Sequence, residues 1–86
     1  MIFNNKRSEV ELIYDLLTSA REDIHKTRLR YKSNMSHIQF NKYLNAMIDK
    51  NLIDEKEFDE RSKIYCLTDD GKDLLESLDI VLNRLK

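Results

Sequence analysis

The stretch Ser36-His37-Ile38-Gln39-Phe40-Asn41-Lys42-Tyr43-Leu44-Asn45-Ala46-Met47-Ile48-Asp49-Lys50-Asn51-Leu52-Ile53 decides how this chain is read. Ser36 followed by Gln39 is a capping box, in which each side chain meets an amide left open at a helix start, so a helix is predicted from about His37. Phe40, Leu44, Met47 and Ile48 recur at spacings of 4, 3 and 1 and share one buried face. Ile38, Gln39, Lys42, Asn45 and Asp49 then fall on the opposite face. Asn51 stands where a helix often ends in a left-handed residue, a conformation asparagine tolerates best after glycine.

Working backward, Ser33-Asn34-Met35-Ser36 reads as a turn with Met35 as an apolar plug. A short basic helix over about Ile24–Lys32 precedes it, burying Ile24 and Leu29, with Asp23 as its cap. Ser8 and Glu11 form another capping box and open a first helix over about Glu9–Ala20. Its apolar stripe is Val10, Ile13, Leu17 and Ala20, with Leu12 and Leu16 beside it. Tyr14 and Tyr31 are read as packing residues.

Working forward, Leu52–Phe58 and Ile64–Leu67 read as two strands joined by a polar tip, Asp59-Glu60-Arg61-Ser62-Lys63, with Phe58 as a further packing residue. Thr68 caps a last helix whose first turn holds Asp69 and Asp70, favourable at the positive end of the helix dipole. Gly71 in that turn marks a place with no room for a large side chain. The order is helix, helix, helix, strand, hairpin, strand, helix. The fold class is therefore α+β, mostly α: a winged helix-turn-helix over residues 1–68, with a C-terminal helix over 69–86.

The chain has 86 residues, 41% hydrophobic and 36% charged, the balance of a folded helical domain rather than a disordered or membrane-spanning one. No proline and one glycine leave little material for the turn-rich loops that carry most active sites, so an enzyme is not expected. Met1-Ile2-Phe3-Asn4-Asn5-Lys6-Arg7 lacks the apolar core of a signal peptide, and Cys66 has no partner for an internal disulfide; both point to the cytoplasm. His25 and His37 have no cysteine or carboxylate cluster to complete a metal site, and no cofactor or small-molecule motif is found. Cys66 reads as a small core residue of a strand rather than as a redox sensor.

The net charge is −1, yet its distribution is uneven. None of the sixteen acids lies between Ile24 and Ile48, a window that carries Lys26, Arg28, Arg30, Lys32 and Lys42 and is therefore +5, leaving −6 for the rest. A phosphate backbone responds to the patch that faces it rather than to the total.

The segment Lys26-Thr27-Arg28-Leu29-Arg30-Tyr31-Lys32-Ser33-Asn34-Met35-Ser36 resembles the second helix and turn of small archaeal winged-helix DNA-binding regulators, among them the Sulfolobus-type chromatin-associated proteins. Phe40-Asn41-Lys42-Tyr43-Leu44 with Ile48-Asp49-Lys50-Asn51-Leu52-Ile53 is similar to their recognition helix and its exit. Tyr65-Cys66-Leu67-Thr68-Asp69-Asp70-Gly71-Lys72 looks like their second wing strand entering the last helix. Asn51 replaces the glycine usual there. The resemblance implies double-stranded DNA as partner, a nucleoid-associated place in an archaeon or its virus, and dimerisation through the C-terminal helix.

On that reading the third helix enters the major groove. Gln39, Asn41 and Asn45 offer the paired donor and acceptor that match adenine, and Lys42 reaches guanine or phosphate. Ser36, His37 and Tyr43, and Arg28, Arg30 and Lys32 of the second helix, position the protein on sugar and phosphate. Arg61 and Lys63 at the wing tip reach toward a groove or flanking phosphate, against the acids Glu57, Asp59 and Glu60. In the last helix Leu74, Leu78, Val81 and Leu85 follow a 4, 3, 4 spacing with Leu82 beside them, a seam expected to pair with a second copy. The rival reading is a winged helix that binds protein instead of DNA.

Overall fold

The structure, a computed structural model, describes residues 7–85. The leader reading of Met1–Arg7 thus falls almost entirely outside the described residues. Helix α1 (Glu9–Ser19) opens on the expected box. Ser8 Oγ accepts the Glu11 N–H and the Glu11 carboxylate accepts the Ser8 N–H, both at 3.1 Å. Leu12, Leu16, Leu17 and Ala20 are buried, whereas Val10 is exposed and Ile13 only half-buried. The buried stripe thus lies about one residue round from the expected one. Leu12, Leu16 and Ala20 are one turn apart, and adjacent Leu16 and Leu17 widen their contact surface.

The next element differs from expectation. Ile24 and His25 are a short strand, β1, and helix α2 (Lys26–Ser33) begins after them. Asp23 is not its cap: His25 holds that position in extended backbone, with no side-chain cap bond. Ile24 lies opposite Tyr65 and His25 opposite Ile64, so β1 is paired by residues some forty positions away in the chain. Helix α2 buries Leu29 and Ser33, and Asn34 ends it at φ 56°. Met35 plugs the core as expected.

Helix α3 (His37–Asp49) starts at Ser36, whose Oγ accepts the Gln39 N–H at 3.2 Å. Phe40, Leu44 and Met47 are buried, and Asn51 turns the chain at φ 61°. Strands β2 (Ile53–Glu57) and β3 (Lys63–Leu67) pair antiparallel, from Ile53 opposite Leu67 to Glu57 opposite Lys63. The sheet order is β1-β3-β2. The Leu67 N–H donates to the Ala20 carbonyl at 3.0 Å, tying the sheet to the end of α1.

Thr68 caps helix α4 (Asp69–Arg84) by accepting the Gly71 N–H at 2.9 Å, and its hydroxyl donates to the Asn51 carbonyl at 2.7 Å. One residue therefore starts α4 and holds the exit of α3. Leu75 joins the core, Leu74 and Leu78 pack against it, and Tyr14 Oη donates to Asp79 Oδ1 at 2.7 Å. Beyond that bond Ile80, Val81 and Leu85 face solvent, Leu85 at 77% exposure, and the molecule extends 46 Å along its longest axis. On this outer end of α4 only Leu82 is half-buried, beside Tyr14 of α1. Tyr14 is half-buried, but Tyr31 and Phe58, expected to pack, are 69% and 60% exposed.

Candidate nucleic-acid interface

The exposed face of α3 follows from what anchors the other face. With Phe40, Leu44 and Met47 held in the core, helical geometry turns Ile38, Gln39, Lys42 and Asn45 outward. All four are exposed, as are Ser36 and His37, whereas Asn41 and Tyr43 are half-buried at the edges. The Lys42 ammonium lies 5.5 Å from the Tyr43 ring centre, so these two form one cationic-aromatic corner. Ile38, at 81% exposure, is an apolar side chain inside this polar face. It belongs to the candidate surface by position, although residue-type reasoning passed over it.

The basic side chains of α2 divide into groups. Lys26 lines the cleft between α2 and the wing together with Glu55 and Arg61. Arg28 and Lys32 lie with Tyr31 along a separate concavity of about 620 Å³. Arg30 is half-buried, its guanidinium 4.7 Å above the Tyr31 ring. Of the three α2 cations expected to meet phosphate, Arg28 and Lys32 are therefore the free ones. Arg30 is already engaged with a ring.

The wing cations also differ from each other. Lys63 Nζ lies 3.4 Å from Glu55 Oε1, and Tyr65 Oη donates to Glu55 Oε2 at 2.7 Å. The bond from Tyr65, helped by Lys63, holds the Glu55 carboxyl below its usual range despite partial burial. Burial and the same carboxylate push the Tyr65 phenol well up. Lys63 is thus paired while still exposed, and Arg61 is the cation of the tip with no ion pair among the described residues. Asp59 is spent on the loop itself: its Oδ1 accepts the Arg61 and Ser62 N–H groups at 2.8 and 2.9 Å and the Ser62 hydroxyl at 2.9 Å. These bonds hold its carboxyl below the usual range.

Arg7 was not visible to residue patterns. It donates to Asp15 Oδ2 at 2.6 Å, to the Ser33 carbonyl at 2.9 Å and to the Asn34 carbonyl. It closes the end of α2 at the turn that leads into α3. No local spacing announces such a contact, because two of its partners lie 26 and 27 residues away.

Among the described residues no group of three or more His, Cys, Asp or Glu could hold a metal ion, and no helix is long and apolar enough to cross a membrane. Cys66 is half-buried on β3, and burial raises its thiol pKa.

Helix α2, a tight turn, an exposed polar α3 and a two-stranded wing are thus assembled as one unit, and residues 6–86 match the winged helix-turn-helix family. The chain belongs to that family. Similar solved structures share this winged-helix architecture. Sso10a-2, a DNA-binding protein from Sulfolobus solfataricus, is 23% identical with a TM-score of 0.81, over 90% of this chain and 80% of that one. AF1382 from Archaeoglobus fulgidus is 17% identical with a TM-score of 0.73, over 92% and 91%. The MarR family transcriptional regulator SPO1453 from Silicibacter pomeroyi is 26% identical with a TM-score of 0.66, over 88% of this winged helix but only 55% of the regulator. No curated protein sequence matches the chain.

Proposed function

We propose that this winged-helix chain binds double-stranded DNA with sequence preference, as a homodimeric transcriptional regulator or small architectural protein in the cytoplasm. The observation that carries the reading is the coincidence of charge and shape. The acid-free window from Ile24 to Ile48 coincides with α2, the turn and nearly all of α3, and the exposed face of α3 is polar and amide-rich. In the proposed mode Gln39, Asn41 and Asn45 read base edges, with Lys42 on guanine or phosphate. Arg28, Lys32, Ser36, His37 and Tyr43 position the helix on the backbone, and Arg30 adds to them from its place over the Tyr31 ring. Arg61 is the wing residue best placed to add a contact, and Lys63 joins it only by leaving Glu55.

In this reading residues 1–68 bind DNA and residues 69–86 dimerise. Val81, Leu82 and Leu85 form the proposed interface with the outer edges of Leu74 and Leu78. Exposed Ile80 flanks them. The descriptions of Sso10a-2 as DNA-binding and of the Silicibacter protein as a regulator agree with this reading.

Selection of bound duplexes from random sequence, followed by salt titration on the winner, tests it. A palindromic consensus bound with a steep negative salt dependence is expected. Binding that stays weak and unselective at low salt, alongside capture of an acidic protein surface, would favour the protein-binding use of the fold.

A further inference from the structure

Helix α2 is strongly polar, yet Tyr31 sits exposed on it. Arg30 covers one face of the ring at 4.7 Å, and the 69% exposure leaves the rest open. At the start of the same helix a second exposed ring, Phe58 of the wing, is held by His25 in an edge contact at 4.8 Å with an interplanar angle of 83°. From His25 to Tyr31 is six residues of chain, or ~9 Å along a helix axis. His25, Thr27, Arg28, Tyr31 and Lys32 line one concavity, and Phe58 adjoins it through its contact with His25. Arg28 and Lys32 are one turn apart on it. Two acids flank Phe58 in sequence: Asp59 has its carboxylate turned into its own loop, and Glu57 is exposed at the end of β2, away from Arg28 and Lys32 in the chain.

We infer that this aromatic and cationic strip binds an unpaired nucleic-acid strand, its bases stacking on Tyr31 and Phe58 and its phosphates on Arg28 and Lys32. The charge requires an anionic occupant. The rings select among anionic occupants: a duplex keeps its base faces stacked inside and offers the strip only phosphate, for which the cations alone would serve. An unpaired strand presents flat π-faces, and the ~9 Å of helix from His25 to Tyr31 matches the length of about two or three stacked nucleotides at ~3.4 Å each. Stacking of this kind tolerates any base, in keeping with a strip that carries no amide side chain. The inference goes beyond the duplex reading and does not depend on it: the two share Arg28 and Lys32, but α3 contributes nothing to the strip.

Fluorescence polarisation of the full chain with labelled oligothymidylate, oligouridylate and a random duplex tests the inference. Tyr31→Ala should weaken single-strand binding roughly tenfold or more and Phe58→Ala by a similar factor. Duplex binding should stay within about twofold in both, and Asn45→Ala should leave single-strand binding unchanged. Both side chains are largely exposed, so folding is spared. Preference for one oligonucleotide assigns the source as DNA or RNA. The inference is overturned if the wild type fails to hold single strands at low salt, or if Tyr31→Ala weakens duplex and single strand equally. It is overturned too if polyglutamate displaces the oligonucleotide as well as oligothymidylate does. Single-strand binding without any duplex binding would sink the proposed function and leave this strip intact.

Discussion

Gly71 lies so close to Leu52 that a Cβ on the glycine would meet the Leu52 carbonyl oxygen at 2.0 Å. That oxygen also accepts the Thr68 N–H at 3.2 Å, so it cannot recede without breaking the junction between the exit of α3 and the start of α4. Gly71→Ala should therefore destabilise the domain by about 2–3 kcal/mol, a loss of roughly 10–20 °C in Tm at this size. Thermal unfolding followed by circular dichroism checks it. An unchanged Tm would mean that α4 pivots freely away from Leu52.

Asn45→Ala and Gln39→Ala should each cost about 1–3 kcal/mol on the preferred duplex and almost nothing on random duplex. Replacing Arg28 and Arg30 together should instead weaken both alike and flatten the salt slope by ~0.9 for each phosphate no longer neutralised. Binding titrations over a range of salt separate the two behaviours. Equal losses on both duplexes for the α3 variants would reassign those side chains to the backbone.

Arg7→Ala leaves the Ser33 and Asn34 carbonyls without their charged donor. Hydrogen bonds of this kind contribute ~1–3 kcal/mol, and stability should fall by about that amount. Because the turn they close orients α3, the ratio of preferred to random DNA affinity should shrink as well. A stability loss with that ratio intact would limit Arg7 to holding the fold.

Glu55 gives the wing a defined pH response. Its folded pKa lies below the ordinary 4.5, so its contribution is present above that value and disappears as pH falls through the lower, folded one. Tyr65 is raised above its ordinary 10.0, so its contribution is present below 10 and is lost as pH rises beyond it. Urea unfolding from pH 3 to 11 should show stability declining at both ends. Glu55→Gln should flatten the acid limb without abolishing it, because Glu11 and Asp59 are also held low. An acid limb identical in the variant would detach Glu55 from wing stability.

Dimerisation is best probed at the uncovered end of α4. Truncation after Leu78 would also remove Asp79 and its bond to Tyr14, whereas Val81 and Leu85 are exposed and can be changed without touching the core. Val81→Ser with Leu85→Ser should convert dimer to monomer at micromolar concentration. Affinity for a two-site duplex should fall far more than that for a half-site. Sedimentation that is identical to wild type would make the outer end of α4 something other than a self-interface.

Local rules carried most of the architecture. The Ser8 and Ser36 caps, the 4, 3 spacing of Phe40, Leu44 and Met47, the left-handed Asn51 and the Thr68 cap all act within a few residues, so their signals survive in the chain read alone. The exposed face of α3 was legible for the same reason: burying one side of a helix dictates the other.

What tertiary structure alone decided are the long-range pairings. Ile24 and His25 look like the start of a helix, yet they become β1 because β3 supplies their partners from Ile64 and Tyr65. Tyr31 and Phe58 are aromatic and so read as core, but the core is already filled by Leu29, Phe40 and Tyr65 and leaves them outside. Lys63 and Arg61 are alike in sequence, and only the position of Glu55 across the hairpin pairs one and frees the other. Arg7 reaches the end of α2 only because folding brings α1 alongside it. Periodicity and capping report energies that neighbours in the chain exchange with each other. Strand pairing, ion pairing and the limited volume of a small core depend on residues that become neighbours only when the chain folds.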